Sequence, residues 1–486
     1  MHLRAVAWIA GAGWHPMKNG LDRRSVEKKD VGSSEALPSK RQRCVAVEGR
    51  AAVPSGSVPS PTDSGPVALE DIPQVRTALL EWYDRLGRQL PWRYRVSAPM
   101  DVHSTAPAVD PYVVYVSELM LQQTRVGTVL EYFSRWMARF PTLQSLAEAS
   151  EEEVLRLWAG LGYYRRARAL HAGARYLVQH HHGRMPSDMR SLLRVPGVGV
   201  YTAGAIASIA FGQPVPAVDG NATRVLSRLC GLTESGTAAC RQALWQAARR
   251  LVDPQRPGDW NQALFDLGST VCTPRVQAAD CARCPLHRFC RAYNTAGEMP
   301  AFQPRVSTKK QRQERVYAFV VVRASSDGLQ LLLRKRPGTG LLAGLWEVPN
   351  VIARPPVQGS DGSAEGLESW LASEWLLSEP ATAPACELLI DILPNSLCRL
   401  LPPVHLQSAS QPVRHVFTHI RQELQVFRVQ VAGDEQVTDA DWQWLSADRL
   451  HSVGVSTQMR KVIRAALAIM DEDTSRASEM EALSGV

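Results

Sequence analysis

The chain has 486 residues, room for two or three domains, with 45% apolar and 21% charged residues and a formal net charge of +8. This is ordinary globular composition, which excludes a wholly disordered or fibrous chain, and no apolar run approaches the roughly 20 residues of a membrane-spanning helix, so no membrane partner is expected. The basic surplus sits mainly in residues 69–300, which hold 26 arginines and no lysine; it permits a nucleic-acid partner without requiring one.

Residues 1–68 read as a disordered leader and linker, because Val53-Pro54-Ser55-Gly56-Ser57-Val58-Pro59-Ser60-Pro61 and similar stretches cannot bury a core. The first seventeen residues carry Arg4 and no acid, and Lys40-Arg41-Gln42-Arg43 is a short basic cluster. A nuclear address is therefore expected, with the mitochondrion as a second one. From Leu69 the pattern turns helical: Ile72, Val75, Leu79, Trp82 and Leu86 fall at helical spacing and stop at Gly87. Further helices are expected over 117–139, 151–159, 165–180, 202–211, 221–230, 238–252 and 260–270, so residues 69–300 read as all-helical. Residues 301–315 are a polar, basic linker. Val316–Val322 and Leu329–Leu333 then read as strands about a Ser325–Gly328 turn, and residues 316–468 as an α+β domain, with a tail at 469–486.

Four constellations carry chemistry. Pro196-Gly197-Val198-Gly199 lies between two helical patterns, where paired glycines let backbone N–H groups approach a phosphate. Asp219, in Val218-Asp219-Gly220-Asn221, stands where a helix cap is expected and one helix beyond the glycine turn. Glu118 lies in Ser117-Glu118-Leu119-Met120-Leu121-Gln122-Gln123-Thr124, at the expected start of a helix. Apolar neighbours there would raise its pKa and let it hold a proton. Cys272, Cys281, Cys284 and Cys290 are spaced C-x8-C-x2-C-x5-C, within a chain of nine cysteines. Four clustered thiols in an odd total suit a metal in a reducing compartment; spacing leaves iron–sulfur and zinc both open.

Taken together, the glycine turn, Asp219 and the cysteine loop resemble the helix-hairpin-helix DNA glycosylases that carry an iron–sulfur cluster. Ser117–Thr124, Gly160-Leu161-Gly162-Tyr163-Tyr164 and Val218–Asn221 resemble the adenine DNA glycosylase family within them, over residues 70 to about 468. The resemblance implies an all-α glycosylase domain with its cysteine loop at 272–290, followed by an α+β Nudix-like domain. It implies a monofunctional N-glycosylase of base excision repair that removes adenine opposite 8-oxoguanine or guanine. Glu118 would protonate the adenine, Asp219 would stabilise the cationic sugar, and Tyr201 and Asn221 would support them. Such a pair of carboxylates in unlike environments is what breaking a glycosidic bond asks for. Arg88, Trp92, Arg93 and Asp266 would form the pocket for the extruded base, and Gln123, Thr124 and Tyr163 would wedge into the duplex beside Pro196–Gly199. The four cysteines would hold a 4Fe-4S cluster.

In the last third, Pro337–Asn350 resembles the Nudix landmark, but Val351–Pro356 lacks the magnesium-binding acidic box, so nucleotide hydrolysis is not expected. Phe417, Thr418 and His419 match the loop that reads 8-oxoguanine, with threonine where the family usually has serine. The first cysteine gap, x8, is two longer than usual. The implied partner is double-stranded DNA carrying an A:8-oxoG or A:G mispair, with replication or repair proteins alongside and a monomeric enzyme. Two other functions compete. An endonuclease III-like pyrimidine glycosylase/lyase needs an amine nucleophile, which Tyr201 and a lysine-free domain do not supply. A catalytically idle DNA-binding scaffold would not need both carboxylates.

Overall fold

The structure is a computed structural model that describes residues 71–93, 109–232, 237–294, 311–326, 328–353, 389, 392–393, 405–432, 437 and 439–469. The segment read as a leader, with the two stretches read as address signals, residues 301–310 of the linker and residues 470–486 lie outside the described residues. Among the described residues, no helix is long and apolar enough to cross a membrane.

The first domain is helical throughout its described residues. At its centre lies the helix Pro111–Leu121, apolar on nearly every face, which buries Val114, Tyr115, Val116, Leu119 and Met120. Asp110 caps it, accepting the backbone N–H of Tyr112 at 2.8 Å, and Pro111 fills the first position, where no N–H is needed. Here the structure corrects the sequence reading. The helix expected over 117–139 is two helices, Pro111–Leu121 and Val126–Arg139, parted at Gln122–Arg125. Glu118 is therefore in the last turn of a helix and not at its start, and it is buried as its apolar neighbours indicated.

Around this centre pack Val200–Ile209 and Arg165–His181, with Gly220–Cys230 against Pro257–Thr270. The last pair approaches very closely: a Cβ on Gly268 would stand 2.7 Å from the Cβ of Asn221. The N-terminus of Gly220–Cys230, with Asp219 as its cap, lies close enough to the central helix for Asp219 to act on Glu118 electrostatically.

The second domain is a mixed sheet. Its strands are β1 (Arg312–Ser325), β2 (Gly328–Lys335), β3 (Trp346–Glu347), β4 (Asn350–Ile352), β5 (His405–Ser408), β6 (Val413–Val416), β7 (Ile420–Gln430) and β8 (Trp442–Ser446). Their main order is β3-β2-β1-β7-β5, with β1 and β7 parallel from Arg312↔Ile420 to Val322↔Gln430. β1 begins inside the stretch read as linker. Period-two alternation sends Val316, Ala318, Val320 and Val322 to one face, under the helix 457–469, and Phe319 and Val321 to the other.

The two domains touch through the landmark loop. Leu345 is buried in the helical core, Arg168 donates to the Ala343 carbonyl while pairing with Glu151 at 2.7 Å, and Trp346 Nε1 donates to Glu152 at 3.1 Å. On its own side, Arg336 fixes the loop by donating to the Leu341 carbonyl at 2.9 Å and pairing with buried Glu347.

Candidate active site

A cavity of about 750 Å³ opens beside the central helix and brings together Glu118, Tyr201, Asp219 and Asn221 with Arg88, Trp92, Arg93, Gln123 and Thr124. Glu118 is 5% exposed and accepts a hydrogen bond from the Tyr201 hydroxyl. Burial pushes its carboxyl up to about 7, further than Tyr201 and the nearby Arg93 draw it down. Asp219 has a different environment. Its Oδ1 accepts the Ala222 N–H at 2.6 Å and its Oδ2 accepts the Asn221 amide at 3.0 Å. Burial raises Asp219 too, but these donors oppose the rise and favour its ionised form. Asp219 is thus the helix cap the sequence indicated and also a wall of the cavity. Arg224 steadies Asn221, donating to its Oδ1 at 2.8 Å and to the Cys272 carbonyl at 2.8 Å.

Asp266 ties down the opposite wall. It is 1% exposed and accepts from Arg88 Nε at 2.7 Å, Arg93 Nη1 at 2.8 Å, Arg93 Nη2 at 3.0 Å and the Arg88 backbone at 2.9 Å. Burial alone would raise its carboxyl, but the two guanidiniums outweigh it and hold the group below its ordinary range. Trp92 is buried edge-on against Phe133, with centroids 5.2 Å apart.

A second cleft of about 660 Å³ lies at the domain junction, lined by Gln123, Tyr163, Leu342, Phe417, Thr418 and His419 among others. The Phe417–His419 segment is the tip of the β6–β7 hairpin, closed by the Phe417 N–H on the Ile420 carbonyl at 2.8 Å. Thr418 and His419 are exposed there. The Tyr163 and Thr418 hydroxyls meet at 2.6 Å across the cleft. Gln123 and Tyr163 both have left-handed backbones, φ 57° and 49°. Gln123 lines both cavities. The turn Pro196–Gly199 lines neither. Gly197 has φ 82°, and a Cβ there would meet the Ala169 Cβ at 2.7 Å, so the turn presses onto the helix Arg165–His181 while Gly197 and Gly199 stay exposed.

A family model of the HhH-GPD superfamily of base excision DNA repair proteins matches residues 116–250, and a NUDIX domain model matches residues 318–465. The chain is 36% identical to the adenine DNA glycosylase of Homo sapiens, over 94% of this chain and 87% of that protein. It is 37% identical to that of Rattus norvegicus, over 82% and 78%, and 36% identical to that of Arabidopsis thaliana, over 80% and 64%. The chain belongs to the adenine DNA glycosylase family. It is a DNA N-glycosylase of base excision repair, built as a helical HhH-GPD domain followed by a Nudix-like one.

The cysteine loop of this glycosylase follows the helix Pro257–Thr270. None of Cys272, Cys281, Cys284 and Cys290 is in a disulfide. Burial pushes the Cys284 thiol up to about 12, and Cys272, Cys290 and Cys281 all act on it electrostatically, so the four share one neighbourhood. Among the described residues, no group of three or more His, Cys, Asp or Glu stands in a metal-holding arrangement. The donor chemistry nevertheless fits an iron–sulfur centre, whose four thiolate ligands would be net anionic. Beside the unbridged thiols lies one buried guanidinium, Arg228, whose Nη1 is 3.2 Å from the Cys272 sulfur and whose Nε and Nη2 have no partner. Sequence reasoning missed Arg228, Arg224 and Arg166. Nothing in the runs Arg224–Arg228 or Arg165-Arg166-Ala167-Arg168 tells a buried arginine from a solvated one.

Proposed function

We propose that this glycosylase removes adenine mispaired with 8-oxoguanine or guanine in double-stranded DNA, taking the extruded adenine into the larger cavity and reading the opposite base in the junction cleft. The observation that supports this most is Gln123, which borders both spaces. A residue so placed stands where a base pair would be pulled apart, with Tyr163 beside it to replace lost stacking. In this reading Glu118 holds a proton near neutral pH and delivers it to the adenine. Tyr201 orients that carboxyl, and Asp219, whose ionised form the Ala222 N–H and Asn221 favour against the effect of burial, faces the positive charge developing on the sugar. Arg88, Trp92, Arg93 and Asp266 shape the base pocket; Thr124 and Pro196–Gly199 hold the strand. The pyrimidine glycosylase/lyase alternative is disfavoured because Tyr201 offers a hydroxyl already engaged with Glu118, where that chemistry needs an amine. A nuclear enzyme with a mitochondrial form, acting as a monomer beside other repair or replication proteins, is the cellular setting its basic segments support.

The base-reading role falls on a slightly acidic domain, so general attraction to phosphate is a poor reason for its presence. Thr418→Ala with His419→Ala is expected to slow excision from A:8-oxoG roughly tenfold more than from A:G, about the discrimination of one base-edge contact. Deleting residues 316–486 should show the same bias more strongly. Single-turnover rates on both duplexes at one salt concentration measure it; equal losses would make the domain a general clamp.

Cys272, Cys281, Cys284 and Cys290 would hold a 4Fe-4S cluster, which when bound would order the arginine-bearing loop of Arg275, Arg283, Arg288 and Arg291 for DNA docking. Protein purified without oxygen should be brown and contain iron. Cys284→Ser should lose that iron and weaken DNA binding. Zinc with no iron in the wild type would reject the assignment.

A further inference from the structure

Arg166 touches neither cavity, yet it joins the chain segments that border both. It is 4% exposed. Its Nη1 lies 3.0 Å from the Leu119 carbonyl, 2.8 Å from Met120 and 2.5 Å from Gln122. Its Nη2 reaches Thr124 Oγ1 at 3.1 Å, the Leu161 carbonyl at 3.4 Å and the Gly162 carbonyl at 3.0 Å. The guanidinium also lies 5.3 Å from the ring centroids of both Trp158 and Tyr163. Every one of these acceptors is neutral.

Two physical consequences follow. First, the Leu119 and Met120 carbonyls belong to the open end of the helix that carries Glu118, where a cation satisfies orphan carbonyls and opposes the helix dipole. This is why the helix stops at Leu121 and does not run on to Val126. Second, Arg166 holds residues adjoining both strained positions. Gln122 and Thr124 flank Gln123; Leu161 and Gly162 precede Tyr163. A left-handed backbone at a residue other than glycine costs on the order of 1–3 kcal/mol and persists only where its surroundings enforce it. One planar fork enforces both.

We propose that Arg166 is a positioning residue that locks Gln123 and Tyr163 into a single rigid wedge and fixes that wedge to the helix bearing Glu118. Opening the base pair and placing the adenine against the acid would then be one mechanical unit. The inference rests on the reading of Gln123 and Tyr163 as the wedge. It requires a planar group with donors on two sides; an ammonium, a point charge with three donors, cannot span both loops.

The test uses the full-length protein with Arg166→Gln, Arg166→Lys, Gln123→Ala and Tyr163→Ala. Active enzyme is titrated first, so that rates refer to correctly folded molecules. Single-turnover excision, the affinity for a duplex with a non-cleavable adenine analogue, and the fluorescence of 2-aminopurine in place of adenine are then measured. Arg166→Gln should lower the rate per active molecule roughly 10- to 100-fold, the scale on which a misplacement of about 1 Å slows a reaction. It should weaken the fluorescence rise that marks extrusion, while affinity changes much less. Arg166→Lys, which keeps charge and bulk, should remain impaired, and it carries the test if the Gln variant does not fold. A normal rate per active molecule with only a lower melting temperature would overturn the proposal, as would full rescue by lysine. Silent Gln123→Ala and Tyr163→Ala would instead overturn the wedge reading, and this inference with it.

Discussion

Glu118→Gln is expected to bind a mispaired duplex nearly as well as the wild type and to release adenine roughly 10²- to 10⁴-fold more slowly, the usual worth of a positioned general acid. Burial keeps the Glu118 carboxyl near pH 7, so a substantial share of molecules carry the proton the departing base needs. Glutamine keeps the shape but has no such proton. Asp219→Asn should cost about as much for the opposite reason, since it removes a negative charge fixed where the sugar becomes cationic. Both groups act on the transition state, so binding of the intact duplex should survive. Stability provides a second check. Because the folded-state pKa of Glu118 is raised, its favourable contribution is full below the ordinary carboxyl range and is lost as pH rises through about 7. Glu118→Gln should therefore melt above the wild type at about pH 8 and lose that advantage in acid.

Asp266→Asn should damage the protein itself. Asp266 is the shared counter-ion of Arg88 and Arg93, whose side chains are 29% and 10% exposed. Removing one partner of a buried pair costs about 3–5 kcal/mol, because the other charge is left without compensation. The partial exposure of Arg88 puts the cost nearer the lower figure. At about 2–4 °C per kcal/mol for a domain of this size, the melting temperature should fall by roughly 6–12 °C. Excision should fall as well, since Arg88, Trp92 and Arg93 line the cavity that Asp266 holds together. Thermal unfolding and single-turnover excision measure the two losses. Unchanged stability would mean that Arg88 and Arg93 find other partners.

Much of this was legible in the residues. Asp219 announced itself as a cap, because a cap is a local event between a side chain and the N–H groups just after it. The helices and the β1–β2 hairpin were legible from hydrophobic period. The break at Gln122–Arg125 was not. No proline or glycine lies within it, and the group that holds its carbonyls, Arg166, is more than forty residues further along. The place of Glu118 within its helix is hidden as well: the residues ahead of it, Pro111–Val116, are as apolar as a buried strand or helix alike, and the start of the helix lies at Asp110-Pro111. The burial of Leu345 in the helical core was also hidden, because a residue that looks like part of one domain's loop spends its apolar surface on another domain. Long-range contacts of this kind leave no period in the sequence.

The most direct test of the central claim is the single-turnover rate of adenine release from an A:8-oxoG duplex, measured at saturating enzyme from about pH 5 to about pH 9 for the wild type and Glu118→Gln. With a protonated Glu118 as the acid, the wild-type rate should fall by about tenfold per pH unit once pH exceeds about 7, while the slow rate of Glu118→Gln should show no such step. A wild-type rate that stays flat to about pH 9, or a Glu118→Gln variant that releases adenine at the wild-type rate, would contradict it.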